Sequence, residues 1–294
     1  MNAPASAINR LRRQALTELD GELAKGRDMP FTRTERVTAP HRAERMKLHA
    51  RFFSEASVPD SLDGLARVIL PIETSPETLK RVLDSGAQAA VEIPPAVFSN
   101  ADKYVKKLTE LKENGLSLAW VCGLDGVGIA HRAGLKFVCG FGMNIFNSVS
   151  VSEAAILGAE DCLLSCEVSL AQAAHIGGEL PRGLMIYGRI PLMMTRNCPV
   201  GTKLTCAECG GRSYLLDRMG VRFPVRCKNG CSFVLNSRPL WLSGKLNDIR
   251  NVDYGLLWFT DESKEECARV ISDYRCGGAP QGEFTRGLYY KGVL

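Results

Sequence analysis

The spacing of apolar positions changes character along the chain. Near the N-terminus Ile8, Leu11, Ala15, Leu16 and Leu19 recur at helical spacing and predict one short amphipathic helix in a polar, Arg-rich stretch. Such a helix cannot bury its stripe alone, so it is expected to pack on the main body or on another chain. The residues that follow, to about position 60, show no clear period. From residue 66 short apolar runs rich in β-branched residues alternate with helical patterns. Ala66–Pro71, Ala89–Pro94, Leu116–Cys122, Lys136–Gly140, Glu160–Ser165 and Gly183–Ile190 read as strands, and their starts are separated by about one strand-plus-helix unit. Ser75-Pro76-Glu77 opens one intervening helix, with Ser75 as the cap and Pro76 in the first turn. A charged amphipathic segment from Ala101 to about Asn114 forms another. Tyr254–Thr260, followed by a helix from about Glu262 to Tyr274, adds a seventh strand.

This alternation predicts an α/β fold with a parallel sheet covered by helices. Seven strands fall short of an eight-fold barrel, so the expectation is an incomplete barrel completed by another segment or a partner chain. The predicted organisation is a helical arm or linker over 1–60, a β/α barrel-like region over 61–195, a cysteine-rich segment over 196–240, and a closing β/α unit with a tail over 241–294. In parallel β/α folds chemistry collects where the strands end. The strand-end candidates are Glu73, Glu92, Asn144, Asn147, Glu167 and Arg189. Each taken singly reads as a surface or capping residue; gathered at one rim they could line a site.

Between the sixth strand and Tyr254 the period stops and five cysteines appear: Cys198, Cys206, Cys209, Cys227 and Cys231, set among glycines and prolines that permit tight turns. No apolar run approaches the roughly 18 residues needed to cross a bilayer, and the charged first residues do not resemble a secretion signal. A cytoplasmic protein is therefore expected, and eleven cysteines there are better explained by metal binding than by disulfides. Cys122, Cys139 and Cys162 lie in apolar stretches and read as small buried hydrophobes. Cys206, Cys209, Cys227 and Cys231 approach the paired spacing of a zinc ribbon. Cys198 is followed by Pro199, as the last ligand of some iron–sulfur runs is. Spacing leaves zinc and iron–sulfur level, and one of the five thiols spare.

The net charge of +5 is unevenly spread. Arg182, Arg189, Arg196, Lys203, Arg212, Arg218, Arg222, Arg226, Lys228 and Arg238 face only Glu208 and Asp217 within residues 181–240. A basic window beside a cysteine cluster suits an anionic partner, with RNA the leading candidate. Arg189 and Arg196 are candidates to hold an anionic cosubstrate or to tune a nearby cluster. Hydrolytic signatures are missing: none of His41, His49, His131 and His175 has zinc-protease spacing, and no Gly-x-Ser-x-Gly occurs.

Several segments together resemble the collagenase-like peptidase family, numbered thirty-two among the peptidases of unknown catalytic type. They are Gly140-Phe-Gly-Met-Asn-Ile-Phe-Asn-Ser148, Leu164-Ser-Cys-Glu-Val168, Tyr187-Gly-Arg-Ile-Pro-Leu-Met193 leading to Asn197-Cys-Pro199, Leu216-Asp-Arg-Met-Gly-Val-Arg-Phe-Pro-Val225, Leu235-Asn-Ser-Arg-Pro-Leu240 and Thr285-Arg-Gly-Leu-Tyr-Tyr290. The resemblance implies a TIM-like barrel and places the chain as the C-terminal half of a longer member. It also implies a four-cysteine 4Fe-4S cluster, with Cys198, Cys206 and Cys209 fitting best and Cys231 or Cys227 as the fourth ligand. Relatives support hydroxylation of transfer or ribosomal RNA or of a quinone precursor, and others are named for collagen degradation. The expectation is an iron–sulfur protein of RNA hydroxylation. A peptidase, or a non-catalytic subunit with structural zinc or iron–sulfur, stands as the alternative.

Overall fold

The computed structural model describes residues 4–26, 41–201 and 205–292, and the chain divides into two units, Met1–Arg36 and Val37–Leu294. In the first, α1 (Ala5–Ala24) is a single helix with no buried residue. The second is built on a parallel barrel.

Seven of the barrel strands come in succession: β1 (Lys47–Phe52), β2 (Leu65–Pro71), β3 (Gln88–Glu92), β4 (Leu118–Val121), β5 (Lys136–Cys139), β6 (Ala159–Leu163) and β7 (Arg182–Gly188). The chain then leaves the barrel for β8 (Pro191–Thr195), β9 (Arg212–Leu216), β10 (Arg222–Lys228), β11 (Cys231–Leu235) and the short β12 (Leu240–Trp241), and returns as β13 (Tyr254–Phe259). Each barrel strand pairs in parallel with its neighbours, β13 lies between β7 and β1, and β6 also pairs with β7, so the ring of eight is closed. Of the two ways expected to complete the barrel, another segment of the same chain supplies the eighth strand. The missing strand is β1, from the stretch in which no period is legible, and no partner chain is needed to complete the ring.

Helices α2 (Pro76–Asp84), α3 (Ala101–Glu113), α4 (Leu124–Arg132), α5 (Ser148–Ile156), the single turn α6 (Leu170–Ala173) and α8 (Lys264–Cys276) follow their strands; α7 (Cys206–Cys209) is one turn in the excursion. Local chemistry sets their starts. Ser75 accepts from the Thr78 amide ahead of Pro76, and Ser263 and Glu266 form a reciprocal capping box at α8. The helix side of the sheet is apolar, as where Phe52 and Phe259 stack with centroids 5.1 Å apart.

The barrel interior is polar in two places. Arg67 of β2 bonds to Asp161 of β6 at 2.6 Å, and Tyr254 of β13 donates to the same carboxylate at 3.0 Å. These are alternate strands around the ring, and β2 and β6 lie on opposite sides, so the pair spans the lumen as one layer of barrel side chains. Beside it His49 stacks on the Tyr254 ring with centroids 4.1 Å apart, and its Nδ1 is buried with no hydrogen-bond partner. The Tyr254 ring lies where any Gly183 side chain would stand, so residue 183 is held to glycine.

Burial, reinforced by the charges of Arg67 and Lys47, holds His49 well below its ordinary value of 6.5. The unfolded chain takes up a proton there on acidification and the folded chain does not, so stability is lost as pH falls through about 6.5. His49→Phe keeps the stacking and removes the proton. The expected result in urea melts between about pH 7 and 5 is a flatter stability profile for the variant than for the wild type; parallel profiles would show that His49 carries none of the dependence.

Candidate functional site at the barrel mouth

The excursion after β7 folds as a four-stranded antiparallel sheet in the order β8-β11-β10-β9 and lies at the C-terminal end of the barrel, the end where barrel enzymes build their sites. Long basic side chains fasten it there. Lys228 donates to the Phe53 carbonyl at 2.5 Å and pairs with Glu73 at 2.9 Å, while Arg226 pairs with Asp261. Arg189 donates to the carbonyls of Asn236 and Ser237, closing the base of the sheet.

Between this sheet and the strand ends is a cavity of about 240 Å³, mostly apolar, walled below by Phe141, Cys122 and Trp258 and above by Met193, Phe233 and Leu235. Its polar floor is one ion pair. Arg51 bonds through Nε and Nη2 to Glu92 Oε2 at 2.9 and 2.5 Å, and its guanidinium lies 4.3 Å from the Trp258 ring centroid. Both partners are buried. Both Arg51 bonds end on Oε2, so Oε1 is the carboxylate oxygen left to meet a ligand. Burial and then the charge of Glu92 push the Cys122 thiol up to about 12. It is a neutral wall at ordinary pH, not a nucleophile.

The strand-end candidates divide sharply. Glu92 alone lines this cavity. Glu73 is the anchor of Lys228. Asn144 takes a left-handed conformation after a short 3₁₀ turn, and Asn147 caps α5 reciprocally with Ser150. Glu167 is exposed beyond β6. Arg196 lies over the Phe98 ring, 4.7 Å from its centroid. Arg51, Trp258 and Arg226 were missed as site residues. The alternation of Lys47-Leu-His-Ala-Arg-Phe52 carries the signal for Arg51, since period two puts His49 and Arg51 on one face.

The cysteines are split by the sheet. In the antiparallel register Cys227 opposes Ser232 and Lys228 opposes Cys231, so Cys227 and Cys231 point to opposite faces. Cys231 shares the Lys228 face, turned toward the barrel, and is buried. Cys227 bonds to the Ser232 hydroxyl at 3.2 Å on the outer face. Burial raises its thiol, the Ser232 bond opposes that, and nearby Cys198 and Cys209 raise it again. Cys206 and Cys209 are the two ends of α7, which Thr205 and Glu208 cap. Among the described residues no three His, Cys, Asp or Glu side chains stand close enough to hold a metal ion.

The basic window is also divided. Arg182 is fully buried and donates to the carbonyls of Ile176, Gly177, Gly178 and Leu180. Arg226, Lys228 and Arg238 have acidic partners, and Arg189 is taken up by carbonyls. Arg196, Arg212, Arg218 and Arg222 are exposed, with Arg222 over the exposed Tyr214 ring. Lys203 lies outside the described residues. Among the described residues no helix is long and apolar enough to cross a membrane.

No family model matches the chain, and no curated protein matches it. Among solved structures the chain is similar to a U32 peptidase, at 11% identity over 80% of this chain and 98% of that one with a TM-score of 0.44. It is also similar to catalytic domain 2 of a group II chitinase from Ostrinia furnacalis, at 8% identity over 83% of this chain and 100% of that one with a TM-score of 0.37. Likeness at these levels carries no argument about activity.

Removing one member of the Arg51–Glu92 pair strands the other charge in an apolar cavity. Arg51→Met is expected to lower the unfolding free energy by about 3 kcal/mol, and Arg51→Met with Glu92→Gln to recover much of it. Urea denaturation of the two variants and of Glu92→Gln alone measures this, and additive losses would mean that the pair is not coupled.

Proposed function

We propose that the chain is a member of the collagenase-like peptidase family that works as an iron–sulfur protein in the hydroxylation of transfer or ribosomal RNA. The observation that supports this reading is the two-faced β10–β11 ribbon. Cys227 turns outward, into the reach of Cys198 and Cys209, and Cys231 turns toward the barrel. We read Cys227 and its neighbours Cys198 and Cys209 as ligands, with Cys206 as the fourth from the family resemblance and Cys231 as the spare thiol, although as placed no three of the described thiols converge on one point. Four thiols without carboxylate or imidazole suit a thiophilic centre. An iron–sulfur cluster held there supplies one-electron transfer.

The chain's own groups divide the remaining work. The Arg51–Glu92 pair and Trp258 offer a charged, stacked floor to a small planar substrate or cosubstrate, and the overlying sheet partly roofs it. The exposed arginines of the β9–β10 hairpin, with Tyr214, suit a phosphate backbone and an unstacked base. Arg226 and Phe233, which line the cavity, and the Cys227 thiol lie on opposite faces of one ribbon.

A peptidase reading is less well supported because no histidine serves the cavity. His41 bonds to Asp253, His49 stacks on Tyr254, His131 meets the Phe137 ring edge-on, and His175 bonds to the Ala171 carbonyl. The carboxylate at the cavity, Glu92, is committed to Arg51.

The test is anaerobic purification followed by visible spectroscopy, iron, sulfide and zinc analysis, and mass spectrometry of RNA from cells lacking the protein. Iron and sulfide are expected in the wild type and in Cys231→Ser. Each of Cys198→Ser, Cys206→Ser, Cys209→Ser and Cys227→Ser is expected to lose most of both, together with the RNA hydroxylation. Zinc without iron in an active protein would sink the iron–sulfur reading in favour of a structural site. Iron loss confined to Cys231→Ser would overturn the ligand set.

A further inference from the structure

We propose that α1 pairs antiparallel with α1 of a second copy of this chain. The helix buries none of its residues within its own unit, and its apolar stripe is exposed there: Ile8 is 56% exposed, Leu11 65%, Leu16 49%, Leu19 53% and Leu23 74%. A helix of 20 residues is marginal by itself in water, and most helical stability comes from packing such a face. The stripe needs an occupant, and the charges on the helix select one.

Residues 5–14 hold Arg10, Arg12 and Arg13 and no acid; residues 15–24 hold Glu18, Asp20 and Glu22 and no base. This order runs against the helix dipole, which favours acids at the N-terminus and bases at the C-terminus. There is no acid in the first turn and no base in the last. The pattern therefore does nothing for the helix alone. Placed antiparallel against itself, the same helix sets each basic half against an acidic half. A parallel pair would set like against like.

The apolar positions agree with this register. With the two helices crossing between residues 15 and 16, Ile8 falls opposite Leu23 of the second copy and Ala15 opposite Leu16, while Leu11 and Leu19 meet one residue out of exact register. Arg13 and Asp20 lie on the same flank of the stripe, and in an antiparallel pair equivalent flanks meet. Ala15 is small and allows close approach at the crossing. The chemistry that recognises this surface is thus its own sequence reversed, an apolar stripe with a basic half and an acidic half.

The test uses the full chain, in sedimentation velocity over a range of concentration at low and high salt. Reversible dimers that weaken with salt are expected of the wild type. Arg12→Glu with Arg13→Glu should raise the dissociation constant at least about tenfold, and so should Glu18→Arg with Asp20→Arg. An equimolar mixture of those two variants should restore association, because each supplies the sign the other has lost. A wild type that stays monomeric throughout overturns the proposal. So does a dimer indifferent to both charge reversals, since its interface lies elsewhere. Thermal melts of Leu11→Ser with Leu19→Ser separate the remaining occupant: a monomer that loses stability in this variant shows that the helix covers its own chain, and the proposal fails.

Discussion

The mouth of this barrel depends on a charge pair that cannot be separated cheaply. Arg51 and Glu92 sit on β1 and β3, two strands apart, and both are buried among apolar walls. Neither charge is tolerable there without the other. The pair therefore fixes the relative height of β1 and β3, and the Trp258 ring beneath the guanidinium brings β13 into the same arrangement. Closure of the ring and construction of the cavity floor are accordingly one event. A strand order that failed to bring β1 beside β13 would leave Arg51 without its stacking partner, and it would leave the cavity without a floor.

The same logic explains why the antiparallel sheet lands where it does. Its inner face carries Arg226 and Lys228 at alternate positions of β10, and each finds an acid on a barrel loop, Asp261 and Glu73. The intervening Cys227 is forced to the outer face by the pleat. Period two thus puts the docking cations on one face of the strand and a thiol on the other. A one-residue slip of β10 would exchange them, turning two cations outward and a thiol inward. The two anchoring ion pairs oppose that slip.

Much of the barrel is legible in sequence, because parallel strands buried on both faces read as continuous apolar runs. The first six predicted strands and the seventh at Tyr254 correspond to β2–β7 and β13. β1 is hidden for a physical reason. Its inward residues are His49 and Arg51, so polarity points into the protein, and a reading that equates polar with outward finds no strand core. Arg51 was lost with its strand, and Glu92 was found without the partner that gives it meaning. Asn144 and Asn147 show the opposite error: strand-end position selected them, but a left-handed turn and a helix cap account for both. The basic window is misleading in the same way. Composition counts Arg182 with the surface arginines, whereas it lies fully buried against four carbonyls.

Charge placement also separates the parts that hold the fold together from those that can meet a partner. Wherever a cation of the window has a fixed partner, it fastens one element to another: Arg182 to the loop before β7, Arg189 to the base of the sheet, Arg226 and Lys228 to the barrel rim. The exposed remainder, Arg196, Arg212, Arg218 and Arg222, clusters around β8 to β10 with Phe98 and Tyr214 as stacking surfaces. A guanidinium already stacked on a ring has lost part of its conformational freedom before any ligand arrives, so less is lost on binding. In the register Arg212 opposes Arg226 and Tyr214 opposes Pro224, so Arg212, Tyr214 and Arg222 share the face of Arg226 and Lys228, and the pre-ordered cations continue the face that closes the cavity. An anion drawn to these arginines would meet the face that closes the cavity and not the face that carries Cys227.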